Sequence, residues 1–201
     1  MAAIASESLL RQVRESGLLS PGQLADLEAG LAAQFTDAGS LSGELVRRGW
    51  LTEYQAGRLL QGDSTGLVLG PYVLLEPLGA GGMGQVYKAR HTLMDRVVAL
   101  KVIRQDRAGS QEALARFRRE IQAAARLSHA NVVVAHDATL IGDTLVYAME
   151  YVEGVDLARL VQERGPLPVG LACECARQAA LGLAHAHARG LVHRDIKPAN
   201  L

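Results

Sequence analysis

A glycine run is the first feature of this 201-residue chain that could do chemistry. It has the spacing G-x-G-x-x-G-x-V. Glycine has no Cβ, so the backbone N–H groups of such a run can approach phosphate oxygens closely. The run consists of Gly79, Ala80, Gly81, Gly82, Met83, Gly84, Gln85 and Val86. Its composition predicts a phosphate-binding loop.

The residues that follow the run distinguish two kinds of nucleotide-binding domain. In a dinucleotide-binding Rossmann domain, the glycine motif must open a helix. Here it is followed by VYKAR at 86–90, a short polar turn, and a β-branched run that reaches Lys101. This pattern predicts a β-hairpin folded over a ligand, and it disfavours the Rossmann alternative.

A lysine inside an apolar strand is the second chemical feature. Lys101 lies between Leu100 and Val102, so its ammonium either points to solvent or needs a partner for its charge. Glu120 lies beside the apolar stripe of a helix predicted from Ser110 to about residue 127. A Lys101–Glu120 pair would hold the ammonium where it can meet the α- and β-phosphates of a nucleotide.

The third feature is the segment HRDIKPAN at residues 193–200. Together with the glycine run and the strand lysine, in that order, it resembles the protein kinase superfamily, whose catalytic loop reads H-R-D-L-x-x-x-N. Ile196 replaces the leucine conservatively. The resemblance covers roughly residues 71–201, and the glycine run is most similar to that of bacterial Hanks-type Ser/Thr kinases. The region before it resembles, more weakly, the N-terminal extensions of planctomycete-type members.

The resemblance implies a role for each polar residue of this segment. Asp195 would accept or orient the proton of the substrate hydroxyl, and Asn200 would bind Mg²⁺. Lys197 would stabilise the γ-phosphate, and a lysine at this position favours Ser/Thr over tyrosine substrates. His193 would hold the loop in shape, and Arg194 would meet a phosphorylated activation loop.

An ATP site is also implied by the resemblance. Met149 would be the gatekeeper, the Glu150 carbonyl and the Val152 N–H would bind the adenine edge, and Asp156 would face the ribose. The ATP-binding set comprises the glycine run 79–86 with Leu78, Ala99, Lys101, Glu120, Met149, Glu150, Val152 and Asp156. The expected cofactors are ATP and Mg²⁺, and the second Mg²⁺ ligand, the Asp of D-F-G, is expected beyond residue 201.

These residues need a sheet and helices to position them, and the pattern predicts an α+β fold. The β-rich segments are 72–78, 96–103, 131–140 and 144–151, and a helix is predicted from Pro168 to His187. The resemblance implies a kinase-like N-lobe at 72–150, with an antiparallel sheet and one helix. A hinge at 150–154 and the start of a helical C-lobe at 155–201 would follow.

Residues 1–63 are predicted to form a small all-α region that contains a two-fold repeat. Residues 8–30 align with residues 40–62, and each copy carries an S/T-x-x-Q capping box, one beginning at Ser20 and one at Thr52. Two similar helix pairs are expected. They would pack through Leu19, Leu27, Leu51 and Leu59. The stretch GDSTGLVLGP at 62–71 mixes Gly, Ser and Pro with a few apolar residues, and residues 64–71 are expected to be a linker.

Composition narrows the classes of partner. The chain has 21 Lys and Arg against 21 Asp and Glu, so no global basic field is available for nucleic acid or an anionic membrane. Its two cysteines, Cys173 and Cys175, are interpreted as packing residues, which fits a reducing compartment. The N-terminus does not resemble a signal peptide, and no apolar run is long enough to span a membrane. A cytoplasmic location is expected for this segment, and a downstream membrane anchor stays open.

The favoured function is transfer of the ATP γ-phosphate to Ser or Thr hydroxyls of proteins, in signalling. A nucleotide-binding pseudokinase is one alternative, against which Lys101, Asp195 and Asn200 argue. A second is that residues 1–63 carry the main role by binding a protein partner, or that they are a passive spacer. Because the D-F-G and activation segments would follow Leu201, the chain is expected to be an inactive fragment on its own.

Overall fold

A six-stranded antiparallel sheet forms the centre of the molecule. The computed structural model describes residues 6–81, 84–104, 119 and 121–201. The strands are β1 (Val68–Leu69), β2 (Tyr72–Gly81), β3 (Gly84–His91), β4 (Arg96–Arg104), β5 (Ala135–Ile141) and β6 (Thr144–Glu150). Their order across the sheet is β1-β2-β3-β4-β6-β5, and helices lie before and after it. This architecture agrees with the α+β prediction.

The two faces of the sheet differ because side chains alternate along each strand. One face is packed into a core that consists of Tyr72, Leu74, Tyr87, Ala89, Val98, Leu100, Val146 and Ala148. The opposite face carries Val86, Ala99 and Lys101. In the register of the sheet, Val86 pairs with Lys101, and Ala99 pairs with Met149. Four of the residues expected to bind a nucleotide, Val86, Ala99, Lys101 and Met149, therefore share the face opposite this core.

Strand β5 begins later than predicted, at Ala135 instead of residue 131. The Asn131 N–H donates to His129 Nδ1 at 3.0 Å, and the Val132 N–H donates to the His129 carbonyl at 3.0 Å. These bonds close a turn, so the backbone of residues 131–132 is used locally and does not extend the ladder.

Two helices follow the sheet. The sequence did not predict α5 (Leu157–Arg164), whereas α6 (Val169–His187) lies where a helix from Pro168 was expected. A single 3₁₀ turn, Pro198–Asn200, ends the chain. Several apolar side chains of α6 are exposed, Val169 to 80% of its surface. Within the described ranges, no helix is long and apolar enough to cross a membrane.

The N-terminal region contains two related helix pairs. The first is α1 (Ser6–Ser16) with α2 (Pro21–Asp26), and the second is α3 (Ala38–Arg47) with α4 (Glu53–Leu60). Helix α4 begins 32 residues after its counterpart α2, at Glu53 against Pro21. The copies diverge after α2, where the segment Leu27–Leu31 is kinked at Gly30, whose φ is 141°.

Equivalent apolar positions of the two copies meet in one core. The buried pairs are Leu9 and Leu41, Val13 and Leu45, Leu19 and Leu51, and Leu27 and Leu59. The four leucines expected to join the copies are all in this cluster. We call residues 6–60 the N-terminal bundle.

The connection between the bundle and the sheet is packed, although residues 64–71 were expected to form a linker. Leu67 is completely buried in the core of the bundle together with Val73 of β2. Val68 and Leu69 form β1, which pairs with the start of β2. Composition suggested a linker because Gly, Ser and Pro are mixed with only a few apolar residues, whereas those apolar residues find partners on both sides.

Candidate functional site

The described residues of the glycine run lie in the two strands of the β2–β3 hairpin. Gly79 pairs with Val86, Ala80 pairs with Gln85, and Leu78 before the run is 45% exposed. The positions of Gly82 and Met83, two predicted members of the run, lie outside the described residues. The predicted hairpin is present, and Gly81 and Gly84 of the run are paired where its two strands end and begin.

Gly84 brings this hairpin close to the neighbouring strand. A Cβ on Gly84 would lie 2.4 Å from the Val102 carbonyl oxygen and 2.9 Å from Ile103 Cγ1. No larger residue fits without a shift of the backbone. The glycine thus allows the hairpin to lie directly against β4, above the face that carries Lys101.

The face below the hairpin brings together several of the predicted nucleotide contacts. Val86 and Ala99 lie on adjacent strands, and Ala99, which is 9% exposed, is paired with Met149. Lys101 lies between Val86 and Tyr147 in the register. A small apolar surface thus adjoins Lys101, an arrangement that suits a flat heterocycle attached to phosphates.

The predicted partner of Lys101, Glu120, lies outside the described residues, so that pair stays a prediction. Its neighbour Ile121 begins a described helical stretch, 121–124, and packs with Ile103 and Leu145. Ile103 shares a face with Lys101, because the two residues are two positions apart on β4. The helix therefore packs on the same face as the lysine.

A second lysine beside this face was not recognised in the sequence. Lys88 pairs with Ala99, and its Nζ lies 3.1 Å from Glu76 Oε1 and 4.8 Å from the ring centre of Tyr151. The hydrogen bond to Glu76 raises the pKa of Lys88. These contacts join both strands of the hairpin to the predicted hinge. No local pattern marks such a pair, because its members are distant along the chain.

The predicted hinge begins at the end of β6. The Glu150 N–H donates to the Val134 carbonyl at 2.8 Å, and the Glu150 carboxylate accepts from the Val134 N–H at 3.1 Å. Val152 is 62% exposed. Asp156 caps α5, since its Oδ1 accepts from the Arg159 N–H at 2.9 Å. If Asp156 contacts a ribose, the same carboxylate also caps α5.

The carboxylate of Asp195 is held by two neighbours in the predicted catalytic loop. Its Oδ2 lies 2.9 Å from Lys197 Nζ and 3.1 Å from Asn200 Nδ2, and Asn200 Nδ2 also donates to the Asp195 carbonyl at 2.8 Å. The hydrogen bond from Lys197, followed by that from Asn200, lowers the pKa of Asp195. The three predicted catalytic residues are thus in contact, and the aspartate is ionised near neutral pH.

The backbone of this loop is constrained. Arg194 has a φ of 67°, a left-handed conformation that costs a non-glycine residue about 1–3 kcal/mol and is concentrated at functional sites. The Asp195 N–H donates to His193 Nδ1 at 3.3 Å, which fits the expected role of His193. The Leu157 N–H donates to the Leu201 carbonyl at 2.9 Å, so the loop is anchored to the start of α5.

Comparison with known families identifies the family to which the chain belongs. The family model described as "Protein kinase domain" matches residues 72–201, from the first residue of β2 to the end of the chain. The chain belongs to the protein kinase family. The family predicted from the three motifs is thereby confirmed. Protein kinases in general use ATP and Mg²⁺ and act on protein substrates.

Two relatives within the kinase family are bacterial proteins. Serine/threonine-protein kinase PrkC of Bacillus subtilis is 42% identical over 134 residues, which are 67% of this chain and 21% of that protein. Serine/threonine-protein kinase PknD of Mycobacterium tuberculosis is 41% identical over 136 residues, which are 68% of this chain and 20% of that protein. The chain thus spans about a fifth of the length of these two relatives.

A solved kinase domain shares the fold. The crystal structure of the Mycobacterium tuberculosis PknI kinase domain superposes with a TM-score of 0.59 at 38% identity, covering 68% of this chain and 56% of that chain. The prediction of an α+β kinase fold, with an N-lobe and the start of a C-lobe, is confirmed.

Proposed function

We propose that the protein is a Ser/Thr protein kinase that transfers the γ-phosphate of ATP to Ser or Thr hydroxyls of protein substrates. The observation that carries the proposal is the contact of Asp195 with Lys197 and Asn200. It brings an ionised carboxylate, a cation and an amide together within residues 195–200, in a loop anchored to α5.

Each of the three residues then has a separate task. Asp195 orients the substrate hydroxyl and accepts its proton, because its lowered pKa keeps it unprotonated at neutral pH. Lys197 offsets the negative charge of the phosphoryl group. In phosphoryl transfer the protein contributes mainly position and charge, so a pre-arranged set of this kind suits the chemistry.

The hairpin and the sheet face fit ATP. The glycine run would bind its phosphates through backbone N–H groups, Lys101 would contact them from below, and Val86 with Ala99 would cover the adenine. The absence of room for a Cβ at Gly84 is the structural sign that this hairpin is built for a close approach of backbone to backbone. Bound ATP supplies the phosphoryl group that is transferred.

Asn200 fits the proposed Mg²⁺ site. Its amide nitrogen is turned toward Asp195, so the side-chain oxygen is the atom that would bind the ion. Mg²⁺ is a hard cation that prefers oxygen ligands. The proposed ligand therefore has the right chemistry, and the Asp195 contact fixes which of its two amide atoms is offered.

A transfer assay tests the proposal. We define the extended chain as residues 1–201 joined to the segment that follows the matched region in the kinase domain of Bacillus subtilis PrkC. Asp195→Asn in the extended chain should lower the rate of phosphorylation of a generic protein substrate by about 10²–10⁴-fold, the usual contribution of a general base. The matched control is Asp143→Asn in the β5–β6 turn, which should leave the rate unchanged.

Three results would separate this proposal from its alternatives. Transfer by the unsubstituted extended chain onto Ser and Thr, lost in Asp195→Asn, supports it. Nucleotide binding without transfer would instead support the pseudokinase alternative. Equal rates for Asp195→Asn and Asp143→Asn would show that Asp195 has no catalytic role, and labelling mainly on tyrosine would contradict the substrate class.

A further inference from the structure

The N-terminal bundle meets the candidate nucleotide site at strand β2. Between Leu74 and Glu76 the register of β2 against β3 shifts, so Leu75 has no partner in that ladder. Backbone carbonyls released from a ladder by a bulge need other donors. Thr52 Oγ1 donates to the Leu75 carbonyl at 2.6 Å, and Gln55 Nε2 donates to the Leu74 carbonyl at 2.7 Å. The start of α4 therefore supplies hydrogen-bond donors to the unpaired Leu75 and to its neighbour Leu74.

The same two side chains also cap α4. The Thr52 N–H donates to Gln55 Oε1 at 2.8 Å, and the Gln55 N–H donates to Thr52 Oγ1 at 3.2 Å. The first repeat contains the equivalent box, in which Ser20 and Gln23 make the same two bonds at the protein surface and reach no strand. The repeat thus uses one box for capping alone and the other for capping and docking.

A line of side chains leads from α4 to the glycine run. The ring of Tyr54 lies 6.0 Å from that of Tyr87, centre to centre, and Tyr87 Oη donates to Gln85 Oε1 at 2.5 Å. Gln85 belongs to the glycine run and pairs with Ala80. Burial first, and then the neighbouring Tyr54 hydroxyl, raises the pKa of Tyr87 to about 12, so its donor proton is retained.

Tyr54 is itself held in place by the segment that follows α4. Arg58 Nη1 donates to Tyr54 Oη at 2.8 Å, and Arg58 Nη2 donates to the Thr65 carbonyl at 2.9 Å and lies 2.8 Å from Asp63 Oδ2. Leu67, two residues after Thr65, is buried in the bundle core. The orientation of α4 on the hairpin is therefore set from both of its ends.

We propose that the N-terminal bundle is a positioning element of the nucleotide site. Thr52 and Gln55 hold β2 at its bulge, and Tyr54 holds Tyr87 and through it Gln85. Together they keep the glycine run in its binding conformation. This inference rests on the proposed function in one respect, that the run binds a nucleotide. It assigns to the bundle a task within the chain, in place of a passive spacer.

The test compares one substitution in the two capping boxes. In Gln55→Glu the Oε1 acceptor of the cap is kept, but an ionised carboxylate cannot donate to the Leu74 carbonyl. Gln23→Glu is the matched control, because its box makes the same cap at the surface. The probe is the complex of Mg²⁺ with AMP-PNP, a non-hydrolysable ATP analogue, titrated calorimetrically into the 201-residue chain and the extended chain.

We expect Gln23→Glu to bind the probe as the unsubstituted chain does. Gln55→Glu should bind it about fivefold more weakly or worse, the lower end of coupling between sites in proteins. The deficit should shrink from about pH 8 to about pH 5, since a protonated carboxylic acid can donate to Leu74 again. Amide exchange should rise in residues 76–90 and stay unchanged in β6. A purely structural role for Gln55 would raise exchange without weakening the binding of the probe.

If Gln55→Glu does not fold, Thr52→Val takes its place, with Ser20→Val as the control and Thr52→Ser as the conservative variant that restores the hydroxyl donor. Affinity that is lost in Thr52→Val and recovered in Thr52→Ser supports the inference. Probe affinity equal to that of the unsubstituted chain in the α4 variants, whether or not hairpin exchange rises, overturns the inference and leaves the proposed function intact. If neither unsubstituted chain binds the probe, both proposals fail.

Discussion

Gly182 of α6 is a position where one methyl group tests how the helix packs against the end of the sheet. A Cβ on Gly182 would lie 2.6 Å from the Asn131 carbonyl oxygen and 3.3 Å from Val132 Cγ2. A Cβ on Gly170 of the same helix would meet nothing within 4 Å. Gly→Ala at these two positions therefore compares a tight approach with open space in one helix.

The expected free energies follow from two opposing effects. Alanine favours a helix over glycine by up to about 1 kcal/mol, and this gain applies at both positions. At Gly182 the added methyl must displace backbone, and overpacking of this kind costs about 1–3 kcal/mol. Gly170→Ala should therefore stabilise the chain slightly. The difference in unfolding free energy between the two variants should be about 1–3 kcal/mol, with Gly182→Ala the less stable.

Urea unfolding followed by circular dichroism measures this difference, and equal m-values would confirm that both variants unfold from the same compact state. For a chain of this size, each kcal/mol corresponds to a change of about 2–4 °C in Tm. Exchange of the amides in residues 128–134 should rise in Gly182→Ala alone. Equal stabilisation of both variants would refute the close packing of α6 against residues 131–132.

Two further predictions concern the glycine run and the tyrosines. Gly84→Ala should lower the unfolding free energy by about 1–3 kcal/mol, because its Cβ would meet the Val102 carbonyl oxygen. The Cβ of Gly79→Ala meets nothing within 4 Å, so this variant should keep its stability and lose only nucleotide affinity. Equal melting temperatures for the two variants would contradict this prediction. Burial raises the pKa of Tyr87 and of Tyr72 to about 12. Because the unfolded value is about 10, their contribution is complete below pH about 10 and lost as pH rises toward about 12. Urea unfolding from about pH 9 to about pH 11 should show this loss of unfolding free energy. The Tyr87→Phe variant should lose less over the same range, because one of the two titrating hydroxyls is gone. The same pH profile for the variant and the unsubstituted chain would be the contrary result.

The sequence by itself determined the chemistry and much of the local structure. The order of glycine run, strand lysine and catalytic loop predicted the family. Short runs rich in β-branched, aromatic and other apolar residues predicted strands near β2, β4 and β6, because such side chains favour a pleated, half-buried backbone. The spacing of Ser20 and Thr52 predicted two capped helices, since a capping box involves residues only three apart. The contact of Asp195 with Lys197 and Asn200 is similarly local.

Only the tertiary structure decided how the elements meet. The capping box of Thr52 and Gln55 looks like that of Ser20 and Gln23 in the sequence. It differs because the carbonyls it reaches, those of Leu74 and Leu75, lie 19 and 23 residues further along. In the sequence Leu67 looks like part of a linker, whereas in the structure it is buried in the core of the bundle. Such contacts depend on which surfaces of the folded elements pack against one another. The periodicity of the sequence does not predict that packing.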